Sequence, residues 1–278
     1  YVYTVGDSDG IQTTDISDPT HPTVINNVGV PGVPPDYRSI YVAGNLAYTV
    51  STHYDDLEII DISNPFLPTP IGTANLGTGV DPIDVVVIGR YAYVINDGSS
   101  NTLKIIDVSN PMAPVVVGTL AIGATPTALA VAGRYAYITD SNDDDLKIID
   151  ISNPTAPVTV GTFGLGTSPW RIFVTGRYAY VVDSGSNDLK IIDVSKPSTP
   201  VTLGSVTLGG APWSIVVAGR YAYTVDNGTA ALRIIDVASS TAPVTVGTLV
   251  LGGTPRSVVV SGRYAYVIDF FDNILKII

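Results

Sequence analysis

Trp170 and Trp213, the two tryptophans of a 278-residue chain, fall at the same point of a repeating unit. Aligned across the units, that point reads Arg38, Ile83, Thr127, Trp170, Trp213 and Arg256, and the next residue reads Ser39, Asp84, Ala128, Arg171, Ser214 and Ser257. Most other positions repeat closely, while these two change their chemistry from copy to copy. Indole rings and guanidinium groups dominate binding hot spots and stack on one another and on ligands. Arg38, Asp84, Trp170, Arg171, Trp213 and Arg256 are therefore the candidate ligand-binding residues.

Catalytic chemistry finds less material. The two histidines, His21 and His53, stand in unlike contexts, in loops expected to open on opposite faces, so they share no metal or dyad. No nucleophile elbow, phosphate loop or His-x-x-x-His pair occurs. Carboxylate pairs such as Asp81 and Asp84 are not distinguished from their surroundings. The acidic run Asp140-Ser141-Asn142-Asp143-Asp144-Asp145 is oxygen-rich, as Ca²⁺ loops are, but lacks the glycine and closing glutamate of an EF-hand and reads as a solvated turn. Asn227-Gly228-Thr229 matches the short pattern of a glycosylation acceptor. No catalytic residue, metal ligand or cofactor is expected.

These residues are positioned by a stamp. Gly-Arg-Tyr-Ala-Tyr begins at Gly89, Gly133, Gly176, Gly219 and Gly262, with a looser copy at Gly44, and a period of this length marks a stacked or radial array. One unit reads as four short strands. Pro169 to Thr175 is apolar, Gly176-Arg177 turns it, and Tyr178 to Asp183 is rich in aromatic and β-branched residues. Ser184 to Asp188 is a polar turn, Leu189 to Val194 a third strand, and Val201 to Leu208 a fourth. Pro197 and Pro200 interrupt the chain between the last two, where a central strand would not tolerate them. The fold expected is all-β: one seven-bladed β-propeller domain over residues 1–278, of four-stranded antiparallel blades.

The first and last blades come out one strand short. A latch by an N-terminal segment of about 25 residues, one partial repeat, would complete the ring, and strand addition from a second molecule is the rival way to fill the edges. Residues 29–35, rich in proline, read as a longer link. Within the stamp, the glycine supplies a positive-φ turn. Arg177 and Asp193 meet at one end of neighbouring strands, as do Arg90 and Asp107, Arg134 and Asp150, and Arg220 and Asp236; the aspartates can equally accept from amides of the following turn. The first strands should line a central channel, with the two variable positions near its mouth.

Composition excludes some partners. A net charge of -11 argues against nucleic acid and anionic membranes, which need clustered cations. With no cysteine, disulfides and thiol chemistry are impossible. No apolar run is long enough for a membrane-spanning helix.

The third strand and its exit, as in Leu57-Glu58-Ile59-Ile60-Asp61-Ile62-Ser63-Asn64-Pro65 and Leu103 to Pro111, carry a signature. Together with Gly-Arg-Tyr-Ala-Tyr they resemble the LVIVD-repeat family, and more distantly the YVTN-type surface-protein propellers. The resemblance spans almost the whole chain and implies a β-propeller of exported or cell-surface proteins, with no shared catalytic set. It departs at Gln12-Thr13-Thr14 and at Ala238-Ser239-Ser240. The function expected is a non-catalytic protein-interaction or structural module, extracellular or at a cell surface, with a protein partner or self-association; the alternatives are a glycan or small ligand held by the tryptophan–arginine positions and, more remotely, a metal-assisted hydrolase or lyase.

Overall fold

The structure, a computed structural model, describes residues 1–6, 10–28, 36–270 and 272–278. The proline-rich link expected at 29–35 lies outside the described residues. Antiparallel sheets occupy seven spans, 2–28, 37–75, 82–121, 126–164, 169–207, 212–250 and 255–277, taken below as blades one to seven. Five are four-stranded, with strands side by side in chain order; the first and last have three. This is the seven-bladed β-propeller fold expected from the repeat. No helix occurs among the described residues, so none is long and apolar enough to cross a membrane. By internal contacts the chain divides into two compact units, residues 1–129 with 151–158, and residues 130–150 with 159–278.

Blade five shows why the sequence folds this way. Its strands are Pro169–Thr175, Tyr178–Asp183, Asp188–Asp193 and Val201–Thr207. Gly176 makes the first turn at φ 58°, a region that costs a side chain but not glycine. In the middle strands Ala179, Val181, Val182, Leu189, Ile191 and Ile192 are fully buried although they alternate between faces. Both faces are thus interior. Tyr180, Val182, Leu189 and Ile191 pack against Leu208, Ile215, Ala222, Ile235 and Val237, so each core lies between two blades rather than within one. In the other unit Tyr48, Val50, Leu57 and Ile59 join Val85, Val87, Val94 and Ile106 in the same way. Each such aliphatic side chain contributes about 1.5–3 kcal/mol on burial.

The outer strand sets how close neighbouring blades come. A Cβ on Gly161 would lie 1.9 Å from the Pro197 carbonyl oxygen of the next blade's turn, and one on Gly118 would lie 2.0 Å from that of Pro154. Glycine is required at these positions by this contact between backbones. Gly247, in blade six, meets nothing closer than the Ile234 side chain at 3.6 Å.

Ion pairs gather at the two ends of the strands. Arg177 pairs with Asp193 and lies over the Tyr178 ring, and the same pairing joins Arg90 to Asp107, Arg134 to Asp150 and Arg220 to Asp236. Asp193 also accepts from the Ser195 amide at 2.9 Å, so both expected roles are filled by one carboxylate. The Arg177 hydrogen bond, helped by Ser195, holds that carboxyl well below the usual range. At the other end a half-buried cation lies among acids. Lys190 Nζ lies 3.1 Å from Asp183 and 2.7 Å from Asp188; Lys147, Arg233 and Lys276 repeat the contact with Asp140, Asp226 and Asp269.

Blade two breaks this rule. Glu58 stands where the lysine does, Ser51 replaces the buried aspartate, and Tyr37 replaces the strand-opening proline. The Tyr37 hydroxyl donates to Glu58. Asp56 keeps its place beside them, and burial, with the charges of Glu58 and Asp55, pushes its carboxyl up to about 6. Burial also raises Glu58.

Two outcomes are expected. Gly161→Ala must displace backbone and should cost about 1–3 kcal/mol in thermal or denaturant unfolding, whereas Gly247→Ala should stay within about 0.5 kcal/mol; equal effects would contradict the close-approach account. Asp56 protonates more readily folded than unfolded, so its contribution is complete below about pH 4 and is lost as the pH rises through about 6. Glu58→Gln removes the neighbouring charge and should narrow the stability difference between pH 5 and pH 7.5 by on the order of 1 kcal/mol; an unchanged difference would show that Glu58 does not govern it.

Candidate functional site

The variable position is a β-bulge. In the first strand of blade five, Pro169 pairs with Asp183 and Arg171 with Val182, leaving Trp170 as the extra residue. The same slip isolates Arg38, Ile83, Trp213 and Arg256 in their strands. Proline opens four of these strands and has no amide to give to a ladder, which suits it to an edge strand next to an irregularity. A bulge re-aims the side chain it releases. That freedom lets this position change type without disturbing the core.

Three of the candidates meet. The rings of Trp170 and Trp213 pack edge-to-face, centroids 4.6 Å apart at 68°. The Arg256 guanidinium lies over Trp213 at 4.9 Å and over Phe270 at 3.7 Å. Such ring pairs prefer this geometry, and a guanidinium is held electrostatically by a ring face. Both indoles are half-buried, and Arg256 and Phe270 are exposed. Neither indole N–H has a hydrogen-bond partner among the described residues, and Arg256 has no carboxylate partner among them. Arg171, beside Trp170, is half-buried and engaged by other groups. Sequence reasoning missed Phe270. Its signal was an aromatic residue where the other units place small or polar turn residues.

Asp84 and Arg38 lie apart from these three in the sequence repeat and make other contacts. Asp84 is 9% exposed and accepts from the Ser39 hydroxyl at 2.8 Å, the Val85 amide at 3.0 Å and the Leu129 amide at 3.1 Å. Its carboxylate joins the first strands of blades two, three and four. Ser214 does the same in blade six, accepting from the Val258 amide at 3.2 Å. The second variable position is thus a stitch between blades where its side chain can accept. Arg38 is exposed and pairs with Asp36 at 3.3 Å.

The other sequence features are occupied locally. His21 contacts Asp18 and Thr20, each at 3.0 Å, and His53 packs on Tyr54. In the acidic loop, Lys147 reaches Asp140, Asp143 and Asp145, and Asp144 accepts from the Ser168 amide. No group of three or more His, Cys, Asp and Glu is arranged to hold a metal ion among the described residues. Thr229 of the glycosylation pattern bonds Asp226 and Arg233.

Among solved structures, the periplasmic gluconolactonase of Pseudomonas aeruginosa is 16% identical with a TM-score of 0.80, covering 99% of this chain and 89% of its own. The Cps50 (Swd1) β-propeller domain of Myceliophteria thermophila is 10% identical with a TM-score of 0.75, covering 99% and 94%. The computationally designed Ika8 protein is 9% identical with a TM-score of 0.72, covering 99% and 79%. Likeness at these identities shows a shared fold and nothing finer. No curated protein matches the sequence. The LVIVD repeat model matches residues 1–30, 36–75, 81–121, 126–164, 166–208, 209–250 and 252–278. With every blade matched in order by that model, the chain belongs to the LVIVD-repeat family.

Proposed function

We propose that this chain is a non-catalytic binding module of the cell surface or extracellular space, and that it engages its partner through Trp170, Trp213, Arg256 and Phe270. The observation that carries this reading is the cluster itself. It gathers two indoles and a guanidinium from the bulge position, with the phenyl ring of Phe270 from a neighbouring turn. None of these groups gives or takes a proton near neutral pH, so the cluster can bind but is not equipped for acid–base work. The acidic, cysteine-free composition and the family resemblance support an exported setting.

An enzymatic reading comes from the gluconolactonase that shares the fold. It asks for a different constellation, since lactone hydrolysis needs a group to activate water and another to stabilise the oxyanion.

The test is a double variant, Trp170→Ala with Trp213→Ala, scored on a glycan array and against candidate surface proteins. Loss of a hot-spot aromatic is expected to weaken binding by about 30-fold or more, with the folded state intact by circular dichroism. Undiminished binding would place the contact elsewhere. Hydrolysis of gluconolactone above the spontaneous rate would overturn the non-catalytic reading.

A further inference from the structure

We propose that the ligand of this cluster is a sugar ring bearing a carboxylate; the inference rests on the binding reading above and names its substrate class. Every feature of the cluster has a counterpart in such a molecule. Indole faces and edges take the apolar C–H faces of sugars, and the N–H groups of Trp170 and Trp213, unpartnered among the described residues, are donors for ring hydroxyls. Arg256 supplies the charge. A planar carboxylate meets the planar guanidinium edge-on in two parallel hydrogen bonds while the rings keep the guanidinium in place.

The comparison with the repeat sharpens this. Arg90, Arg134, Arg177 and Arg220 also lie over an aromatic ring, but each already faces an aspartate of its own blade. Arg256 lies over two rings and has no acid opposite it among the described residues. Arg263 likewise lacks an acid among them, but it rests on Tyr264 alone, away from any indole contact. In a chain of net charge -11 a guanidinium without an acid is the exception. That same charge opposes the approach of densely anionic polymers, so the acidic group is expected singly on the sugar. Size points the same way. Four side chains fall well short of the ~800 Å² per partner that a stable protein interface buries, whereas one or two sugar rings fit them.

The test is titration calorimetry with a disaccharide carrying a single galacturonic acid residue and with its carboxyl-reduced, neutral counterpart. The wild-type chain should prefer the acidic ligand by at least tenfold. Arg256→Gln should abolish that preference while keeping the affinity for the neutral ligand, and Trp170→Ala with Trp213→Ala should lose both. Arg256 is exposed, so an unchanged unfolding midpoint in Arg256→Gln will separate lost recognition from lost folding. Equal affinity for the two sugars, or a preference that survives Arg256→Gln, would overturn the carboxylate assignment and leave the binding reading standing. Absence of tryptophan-dependent binding to any glycan or protein probe would overturn both.

Discussion

A sheet that is apolar on both faces must be covered on both faces. Ala179 and Val181 point one way, Tyr180 and Val182 the other, and none of the four is more than 5% exposed. No single blade can satisfy that demand, because its core lies half in its neighbour. The repeat follows from this constraint, since a unit whose two faces must each meet a like unit is stable only in a series. The close approach of Gly161 to the Pro197 carbonyl follows too, because sheets brought near enough to exclude water bring their outermost backbones into contact. Charge is left with strand ends, where Arg177 and Asp193 close one edge and Lys190 with Asp183 and Asp188 the other.

The frame was legible in the sequence because each repeated residue has a local cause. Glycine at positive φ, paired prolines and apolar alternation fix the strands of blade five to within a residue. The pairing of Arg177 with Asp193 also followed from strand order alone. What the sequence could not reveal depends on register. Trp170, Trp213 and Arg256 were marked as variable, but that they are extra residues in a ladder is visible only once the partners across the strand are known. The alignment likewise put Asp84 among the binding candidates on its chemical type. Hydrogen bonds from Ser39 and Leu129, each 45 residues away, show it joining neighbouring first strands. Phe270 escaped because it comes from a turn, outside the strand positions being compared.

Two of the departures from the repeat differ in kind. In blade two, proline, aspartate and lysine change together to Tyr37, Ser51 and Glu58, and the new groups answer one another: the phenol serves the glutamate that displaced the cation. A change compensated within its own blade preserves a scaffold. At the bulge the new groups also meet, Trp170 against Trp213 and Arg256 over Trp213, but the two indole N–H groups and the Arg256 fork are left unused among the described residues. A local irregularity whose polar groups the chain itself does not use is where a fold is expected to give up consistency for a function.

Shared architecture cannot decide what that function is. A gluconolactonase, a Swd1 propeller domain and a designed protein all overlay this chain at 9–16% identity, so the shared blade geometry does not by itself name a task. The decision rests with groups that differ from blade to blade. Arg177 and Arg256 carry the same guanidinium over an aromatic ring, yet Arg177 already has the carboxylate of Asp193, which fills the fork with which it would grip a ligand. Arg256 has the rings without the acid among the described residues. Blade seven's counterpart of Arg177 is Arg263, over Tyr264 alone; Arg256 is a separate guanidinium, set at the bulge between two rings, and it is this one that can recognise something outside the chain.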